Sequence, residues 1–205
     1  MKKKYKLGLI LIAISIVLIL VITIIFLLKG DKKVEKTKVV DSIDNFSYTL
    51  DDRDTKLMKE TYNELKDILN KDQIDYEAYA KTLAKLFVID LFTMNNKINK
   101  YDVGSTEYVY PESVDNFKLN VEDTIYKSME DNSDGKRKQD LPEVISVDAS
   151  NIEEVEFEIK EEKEKVYEVK LTWEYEKDLG YDDNATIKLL NVDDKLYVVE
   201  YATGE

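Results

Sequence analysis

The side chains of this chain that could carry chemistry are carboxylates, tyrosines and lysines, because the sequence contains neither histidine nor cysteine. Without histidine the chain lacks the usual near-neutral general base and the commonest metal ligand. Without cysteine it has no thiolate site and no disulfide. A histidine-based catalytic triad is therefore excluded. No catalytic motif is present, so we expect a protein that is not an enzyme and has no cofactor and no metal site.

Asp90 is the most unusual carboxylate, because the residues around it, 86–94, are otherwise almost wholly apolar. A buried carboxylate needs bonding partners or acquires a raised pKa. Two interpretations stay open at this point. Asp90 is either bonded to a nearby loop or exposed at a helix edge, or it lies inside a ligand cavity. In the second case we expect Asp90 and Trp173, the single tryptophan, to line that cavity.

Two acidic clusters and one basic cluster are the remaining candidates. The segments 182–184 and 193–194 hold clustered carboxylates that suit a hard cation such as calcium, but neither has the spacing of a calcium loop, and turn chemistry explains both. Lys136, Arg137 and Lys138 form a positive island that could contact an acidic partner or a second copy of the same chain.

The elements that must position these residues begin with three helices, which are predicted from apolar residues at spacings of three and four. The first begins near Asp54, and the second follows Asp75 as its N-cap. The third runs from Pro111 to a turn near Asn132. The segment 95–110 between the last two helices is predicted to be a loop, with a short strand at 107–110 as an alternative.

After Pro142 the apolar period changes to two, which is typical of strands with one buried face. Apolar residues alternate with charged ones at 155–159 and again at 167–175. Two further strands, 187–191 and 195–201, are joined by an aspartate turn. Helices followed by an antiparallel meander predict an α+β fold, with three helices packed on one face of a curved sheet.

Residues 7–28 form a nearly unbroken apolar run behind the lysine-rich segment 1–6. At about 1.5 Å per residue, this run matches a hydrocarbon core of about 30 Å, so we predict an uncleaved transmembrane helix. The charged segment 29–42 is then a solvated stalk, and 43–205 is the folded domain. The lysines of the stalk blur the positive-inside signal. The membrane potential nevertheless favours a cytoplasmic tail at 1–6 and an extracytoplasmic domain in the cell envelope.

The formal net charge of the chain is −13, and the lysines of residues 1–29 make the remainder more acidic still. Such a field repels nucleic-acid phosphates and favours basic partners. We therefore expect no nucleic-acid binding.

The closing hairpin IKLLNVDDKLYVVEY, placed after helices, resembles the nuclear-transport-factor-two-like (cystatin-like) cone fold. Members of that fold often end in a strand, an Asp/Gly turn, and a strand of aromatic and β-branched residues. With its short tail and single span, the chain is similar in architecture to membrane-anchored assembly proteins of type IV secretion and conjugation systems. The segments DVGSTEYVYPE and GKRKQDLPEV are similar to uncharacterised anchored proteins of low-GC bacteria.

The resemblance implies a scaffold or protein-interaction module of a bacterial envelope complex, with envelope or membrane proteins, or a second copy of the chain, as partners. The cone fold also includes ligand-binding sensors and isomerases, in which a cavity carboxylate beside tyrosines acts as a base. A deep cavity that contains Asp90 and tyrosine hydroxyls would favour the sensor or the isomerase. A filled cone with an exposed apolar groove would favour the scaffold.

Overall fold

The computed structural model of the protein describes residues 37–204. The predicted transmembrane helix at 7–28 lies outside these residues, as do the tail 1–6 and most of the stalk 29–42. Across the described range, no helix has the length and apolar content needed to cross a membrane.

A short antiparallel hairpin opens the described chain. Strand β1, Val39–Ile43, pairs with β2, Tyr48–Asp51. The alternation of Tyr48 and Leu50 suits either a short strand or a lead-in to the first helix; the structure shows the strand, and both side chains are buried. Because β1 takes part in this pairing, regular structure begins inside the segment that the sequence assigns to the stalk.

The first two helices begin close to their predicted starts near Asp54 and after Asp75. Helix α1, Lys56–Leu69, follows Thr55, whose hydroxyl accepts a hydrogen bond from the backbone N–H of Met58 at 3.3 Å. Helix α2, Tyr76–Phe92, follows Asp75, whose carboxylate accepts one from the N–H of Ala78 at 3.1 Å. Nearly every apolar side chain of α2 is buried, because this helix is covered on more than one side.

The third helix is shorter than the sequence predicts. A 3-10 turn, Pro111–Ser113, leads into α3, Val114–Asp123, instead of a helix that continues to Asn132. The chain leaves helical geometry at Thr124, and the Tyr126 hydroxyl then donates to the carbonyl of Leu91 at 2.7 Å. Burying Tyr126 against α2 therefore ends the apolar stripe that the spacing alone would extend.

The second half of the chain is an antiparallel meander in the order β3-β4-β5-β6. Its strands are Val144–Ile159, Glu162–Tyr175, Asn184–Val192 and Lys195–Thr203. Irregular pairing within β3 and opposite β5 bends the sheet, as β-bulges do. The predicted α+β class, with three helices and a curved antiparallel sheet, is confirmed.

Trp173 anchors the interface between the sheet and α2. It shares a sheet face with Val169 and Leu171, and all three side chains are buried. Its ring centroid lies 5.0 Å from that of Phe92 on α2. The burial that the odd-numbered pattern of β4 predicts is therefore observed.

The apolar row at 155, 157 and 159 lies on the opposite face of the sheet. Val155 pairs with Val166, whereas Ile152 pairs with Val169 on the helix-facing side. A bulge between Ala149 and Asn151 inserts one residue into β3, and a one-residue shift moves every later side chain to the other face. The row is consequently half-buried rather than part of the core between sheet and helices.

Buried tyrosines tie the opening hairpin to the rest of the domain. The hydroxyls of Tyr48 and Tyr79 lie 2.6 Å apart. Tyr48 donates to the carbonyl of Leu196 at 3.0 Å, and the backbone N–H of Leu196 donates to the Tyr79 hydroxyl at 3.2 Å. This network fixes β2 against α2 and β6, and so fixes the side chains that β2 presents.

We predict that Trp173→Ala lowers the free energy of unfolding by about 3–5 kcal/mol, as for other buried aromatic side chains. Urea unfolding followed by far-UV circular dichroism measures this change, because the variant has no tryptophan fluorescence. Trp173→Phe is the matched control and should lose less, since it keeps a ring against Phe92. A loss below about 1 kcal/mol for the alanine variant would contradict the packing described here.

Candidate functional site

A polar cavity of about 160 Å³ lies between β2, the start of α1, and the loop 96–108. We call it the acidic pocket. Its charged lining residues are Asp51, Arg53, Asp54, Asp90, Lys97, Asp102 and Glu107. Carboxylates outnumber cations in this wall, so the pocket favours positively charged or hydrogen-donating ligands.

Asp90 joins α2 to the loop of the pocket. Its carboxylate accepts hydrogen bonds from the ammonium of Lys97 and from the backbone N–H of Ser105. The Ser105 hydroxyl donates to the carbonyl of Phe87 at 2.7 Å. A Cβ at Gly104 would lie 2.5 Å from the backbone oxygen of Asp90, so only glycine permits this close approach. Asp90 is thus bonded to a nearby loop and also lines the acidic pocket, so both interpretations describe part of its position.

The other cation of the pocket wall is also engaged. Arg53 donates from the same nitrogen to the Asp102 carboxylate and to the carbonyl of Asn96, both at 2.7 Å. Asp102 in turn accepts from the backbone N–H of Ile98 at 2.9 Å. Arg53 and Lys97 thus each neutralise one carboxylate while they shape the loop.

Three pocket carboxylates, on Asp51, Asp54 and Glu107, form no salt bridge within residues 37–204. Asp54 accepts from the backbone N–H of Asp51 at 2.6 Å. Glu107 accepts from the Thr49 hydroxyl at 2.8 Å and from its backbone N–H at 3.1 Å. Asp51 accepts from the hydroxyl of Thr37. Neutral donors therefore hold these carboxylates in place, and among the described residues only longer-range attraction to Lys97 acts on Asp54 and to Lys195 on Glu107.

Burial changes the titration of two of these groups. Desolvation, assisted by the charge of Asp90, raises the pKa of Asp54 to about 6 against the lowering effect of its hydrogen bond from the Asp51 backbone. Desolvation likewise raises the pKa of Glu107 to about 7, against the opposing effect of its hydrogen bonds from Thr49. Both carboxyls therefore change charge in a range that is close to neutral.

Several polar atoms of the pocket wall are buried without a hydrogen-bond partner in the described part of the chain. They are Oδ1 of Asp51, Oδ1 of Asn96 and the hydroxyl of Tyr108. Tyr108 is 0% exposed, and its hydroxyl lies near Glu107 without reaching hydrogen-bond geometry. Buried polar atoms are rarely left unpaired in proteins. These atoms are therefore the hydrogen-bonding groups of the pocket wall that no described residue uses.

The second predicted cavity residue, Trp173, does not line the acidic pocket. It packs against Phe92 in the core, so the structure does not bring Asp90 and Trp173 together in one site. Sequence reasoning gave both residues the same role because it could not locate the helix-facing side of the sheet relative to the loop 96–108.

The basic island has a divided role. Arg137 is half-buried, and its guanidinium donates to the carbonyls of Asn95 at 2.7 Å and Lys97 at 2.9 Å. This residue fastens its own loop to the neighbouring pocket loop. Lys136 and Lys138 are exposed and remain the predicted partner contact.

The acidic cluster at 193–194 shows ordinary turn chemistry, whereas residues 182–183 are irregular and lead directly into β5 at Asn184. Asp193 and Asp194 have φ of 52° and 68°, which is the conformation of a tight hairpin turn. Asp194 also accepts a hydrogen bond from the Tyr76 hydroxyl at 2.8 Å. Among residues 37–204, no three acidic side chains are grouped closely enough to hold a metal ion directly.

The sequence analysis missed Asp51, Asp54 and Glu107. The run Asp51-Asp52-Arg53-Asp54, at the end of a predicted strand, was the available signal. It was weak because loop aspartates are common, and because nothing in the spacing indicates that Glu107 lies opposite Thr49.

We predict that Asp90→Asn lowers the free energy of unfolding by about 3 kcal/mol, because it leaves the buried Lys97 ammonium without its counter-charge. Urea unfolding measures the loss. Adding Lys97→Met to the same chain should restore part of it, because the unpaired charge is then removed. A loss below about 1 kcal/mol would place Asp90 at a solvent-exposed edge instead.

We also predict a specific pH dependence of stability. The folded pKa values of Asp54 and Glu107, about 6 and about 7, exceed the values of 3.8 and 4.5 expected for the unfolded chain. The folded state therefore holds protons that the unfolded chain releases, and these two groups lower the free energy of unfolding as the pH rises from about 4 to about 7.

Glu107→Gln removes one of these groups, so its melting temperature minus that of the wild type should become more positive between about pH 5 and about pH 8. Differential scanning calorimetry measures this difference. The exposed Asp72→Asn is the matched control and should follow the wild type. A Glu107→Gln curve parallel to the wild type would contradict the buried position of this carboxyl.

Comparison of the chain with protein-family models, with curated proteins and with solved structures finds no match. The resemblance to the cone fold therefore stays a prediction. The geometry of the acidic pocket is the feature that bears on function.

Proposed function

We propose that this protein is a membrane-anchored, ligand-binding domain whose site is the acidic pocket. The observation that supports this proposal is the set of buried, unpaired polar atoms in the wall of a concave pocket that Asp90 and Tyr108 also line. Such a combination of a concave site with a few convergent polar groups is typical of small-molecule sites. A ligand would satisfy atoms that otherwise weaken the fold.

The pocket suits recognition better than catalysis. Asp90 is already bonded to Lys97 and Ser105, so it is poorly placed to act as a free base. Tyr108 has a pKa raised well above its usual value, chiefly by burial, so its hydroxyl stays neutral. These groups can hold a ligand by hydrogen bonds, which is what a sensor requires.

The proposal includes the membrane anchor and the fold resemblance. The apolar run 7–28 would hold the domain at the outer side of a bacterial cell membrane, which protease digestion of intact spheroplasts tests. The order of three helices before a curved sheet, with the hairpin β5–β6 closing that sheet, supports a cone-like fold of the nuclear-transport-factor-two-like kind. A domain of that kind also suits the role of a scaffold.

The scaffold is the second candidate function, and two observations favour it. The space between the sheet and α2 holds packed side chains such as Trp173 and Phe92, which is the filled interior expected of a scaffold. On the other face of the sheet, Val155, Phe157 and Ile159 form a half-exposed apolar row on β3. This row could pack against an envelope protein or a second copy of the chain.

A pocket-filling substitution tests ligand binding. Thr106 lines the acidic pocket, so Thr106→Trp should occupy the cavity, whereas Thr172→Trp places the same side chain on an exposed sheet position. The full-length protein in detergent is screened for thermal shifts with small anions, neutral polyols, amines and metal ions. We expect at least one class to raise the melting temperature of the wild type and of Thr172→Trp, but not of Thr106→Trp.

Two results would count against the ligand-binding proposal. One is the absence of a saturable shift with any of these classes. The other is a shift that Thr106→Trp retains in full, because the ligand would then bind elsewhere. Either result leaves the scaffold as the better interpretation.

A further inference from the structure

We propose that the ligand of the acidic pocket is a small organic cation with a primary ammonium group, such as a short aliphatic diamine. This inference rests on the proposed function, because it names the class of ligand for the same site. It follows from the charges, the unpaired atoms and the dimensions of the pocket.

The charges of the pocket wall favour a cationic ligand. Lys97 and Arg53 are each bonded to a carboxylate, on Asp90 and Asp102 respectively. The carboxylates of Asp51, Asp54 and Glu107 have no such partner within residues 37–204. The groups that face the cavity or lie close to it are Asp51, Arg53, Asp54, Asp90, Lys97, Asp102, Glu107, Tyr108 and, beside Glu107, Lys195. An anionic ligand would be repelled, whereas a cation would restore charge balance.

The free hydrogen-bond acceptors of the pocket wall favour a ligand that donates. The unpaired Oδ1 atoms of Asp51 and Asn96 are acceptors, and the carboxylates of Asp54 and Glu107 have further acceptor capacity. The ligand must therefore supply donors. An ammonium group supplies three donors and no acceptor, which fits this wall better than a hydroxyl does. Tyr108, fully buried with its hydroxyl unpaired, supplies an independent sign that this wall faces a ligand.

The spacing of the acidic side chains favours an ammonium group over a metal ion. Direct coordination of calcium requires oxygen ligands at about 2.3–2.6 Å around one point. In the part of the chain that the structure describes, no three acidic side chains converge in this way. An ammonium bonds at about 2.7–2.9 Å to separately placed acceptors, so it tolerates the wider spacing of this wall.

The size and polarity of the acidic pocket favour a short aliphatic amine. A cavity of about 160 Å³ has room for a few linked heavy atoms beyond a single water. Its lining is mostly polar, with Met58 and Val103 as apolar members beside the buried Tyr108 ring. A quaternary ammonium needs a cage of several aromatic faces. A short aliphatic amine with N–H donors matches this wall more closely.

Binding of a cation should also displace protons. Glu107 and Asp54 titrate near neutral pH, and a bound cation favours their charged forms. Affinity should consequently fall as the pH drops from about 7.5 to about 5.5, as protonation removes the charges that attract the ligand.

Isothermal titration calorimetry on the full-length protein in detergent tests the inference. The probes are 1,4-diaminobutane, the neutral isostere 1,4-butanediol, succinate and calcium chloride. We expect saturable binding of the diamine, at least about tenfold weaker binding of the diol, and no binding of succinate. Titrations in buffers of different ionisation enthalpy should show proton release at about pH 6.5.

Variants identify the site. Glu107→Gln and Asp51→Asn keep the side-chain shapes and should each weaken diamine binding by about tenfold or more. Asp72→Asn, at an exposed position, should bind as the wild type does. Asp54→Asn is the substitute if either pocket variant fails to fold, which circular dichroism reports.

The remaining outcomes distinguish this inference from the proposed function. Tighter binding of calcium than of the diamine, lost in the same variants, would overturn the ammonium assignment but leave a ligand-binding pocket. Binding of the diol or of succinate in preference to the diamine would do the same. Diamine binding that survives all three variants would place it outside the pocket and overturn the inference. If no probe binds and the thermal-shift screen is also negative, both proposals fail.

Discussion

The contact between Asp90 and the loop 96–108 is the interaction on which the candidate site depends. The Asp90 carboxylate holds the Lys97 ammonium and the Ser105 backbone N–H at the end of α2. Farther along the same segment, the chain joins the sheet, because Val198 donates to Tyr108 at 2.8 Å and Tyr110 donates to Val198 at 2.9 Å. A loop with no regular structure is thus held at both ends, which fixes the carboxylate of Glu107 and the hydroxyl of Tyr108.

The opposite wall of the pocket is fixed by a different device. Strand β2 belongs to a two-stranded hairpin, which has little stability alone. The hydrogen bonds of the Tyr48 hydroxyl join this strand to α2 and β6, and Glu107 accepts both the hydroxyl and the backbone N–H of Thr49. The two walls therefore support each other. A change at Glu107 alters both a charge of the pocket and the link between its walls.

Sequence patterns predicted those parts of the fold that depend on local chemistry. The cap at Asp75, the aspartate turn before Lys195, and the alternation through Trp173 are properties of short segments, and the structure agrees with them. The patterns failed where distant contacts decide. The bulge after Ala149 inverts the faces of β3, and the contact of Tyr126 with α2 ends α3 early.

The candidate site was predictable only in part, for the same reason. Asp90 stood out because its neighbours in sequence are apolar, and that signal is local. Asp51, Asp54 and Glu107 are ordinary loop and strand-end acids until the fold brings three separate segments together. A site assembled from residues so far apart in the chain leaves no spacing for a motif to record.

The carboxylates of Asp54 and Glu107, which form no salt bridge within the described residues, lower the stability of the fold. Desolvation of Asp54 and Glu107 opposes folding near neutral pH, and neutral residues of similar shape would relieve it. The buried tyrosine network and the packing of Trp173 on Phe92 provide the stability that offsets this cost. Polar groups whose desolvation weakens a fold are characteristic of functional sites. Because a bound cation would balance the charges of Asp54 and Glu107, it would convert their destabilising effect into a stabilising one.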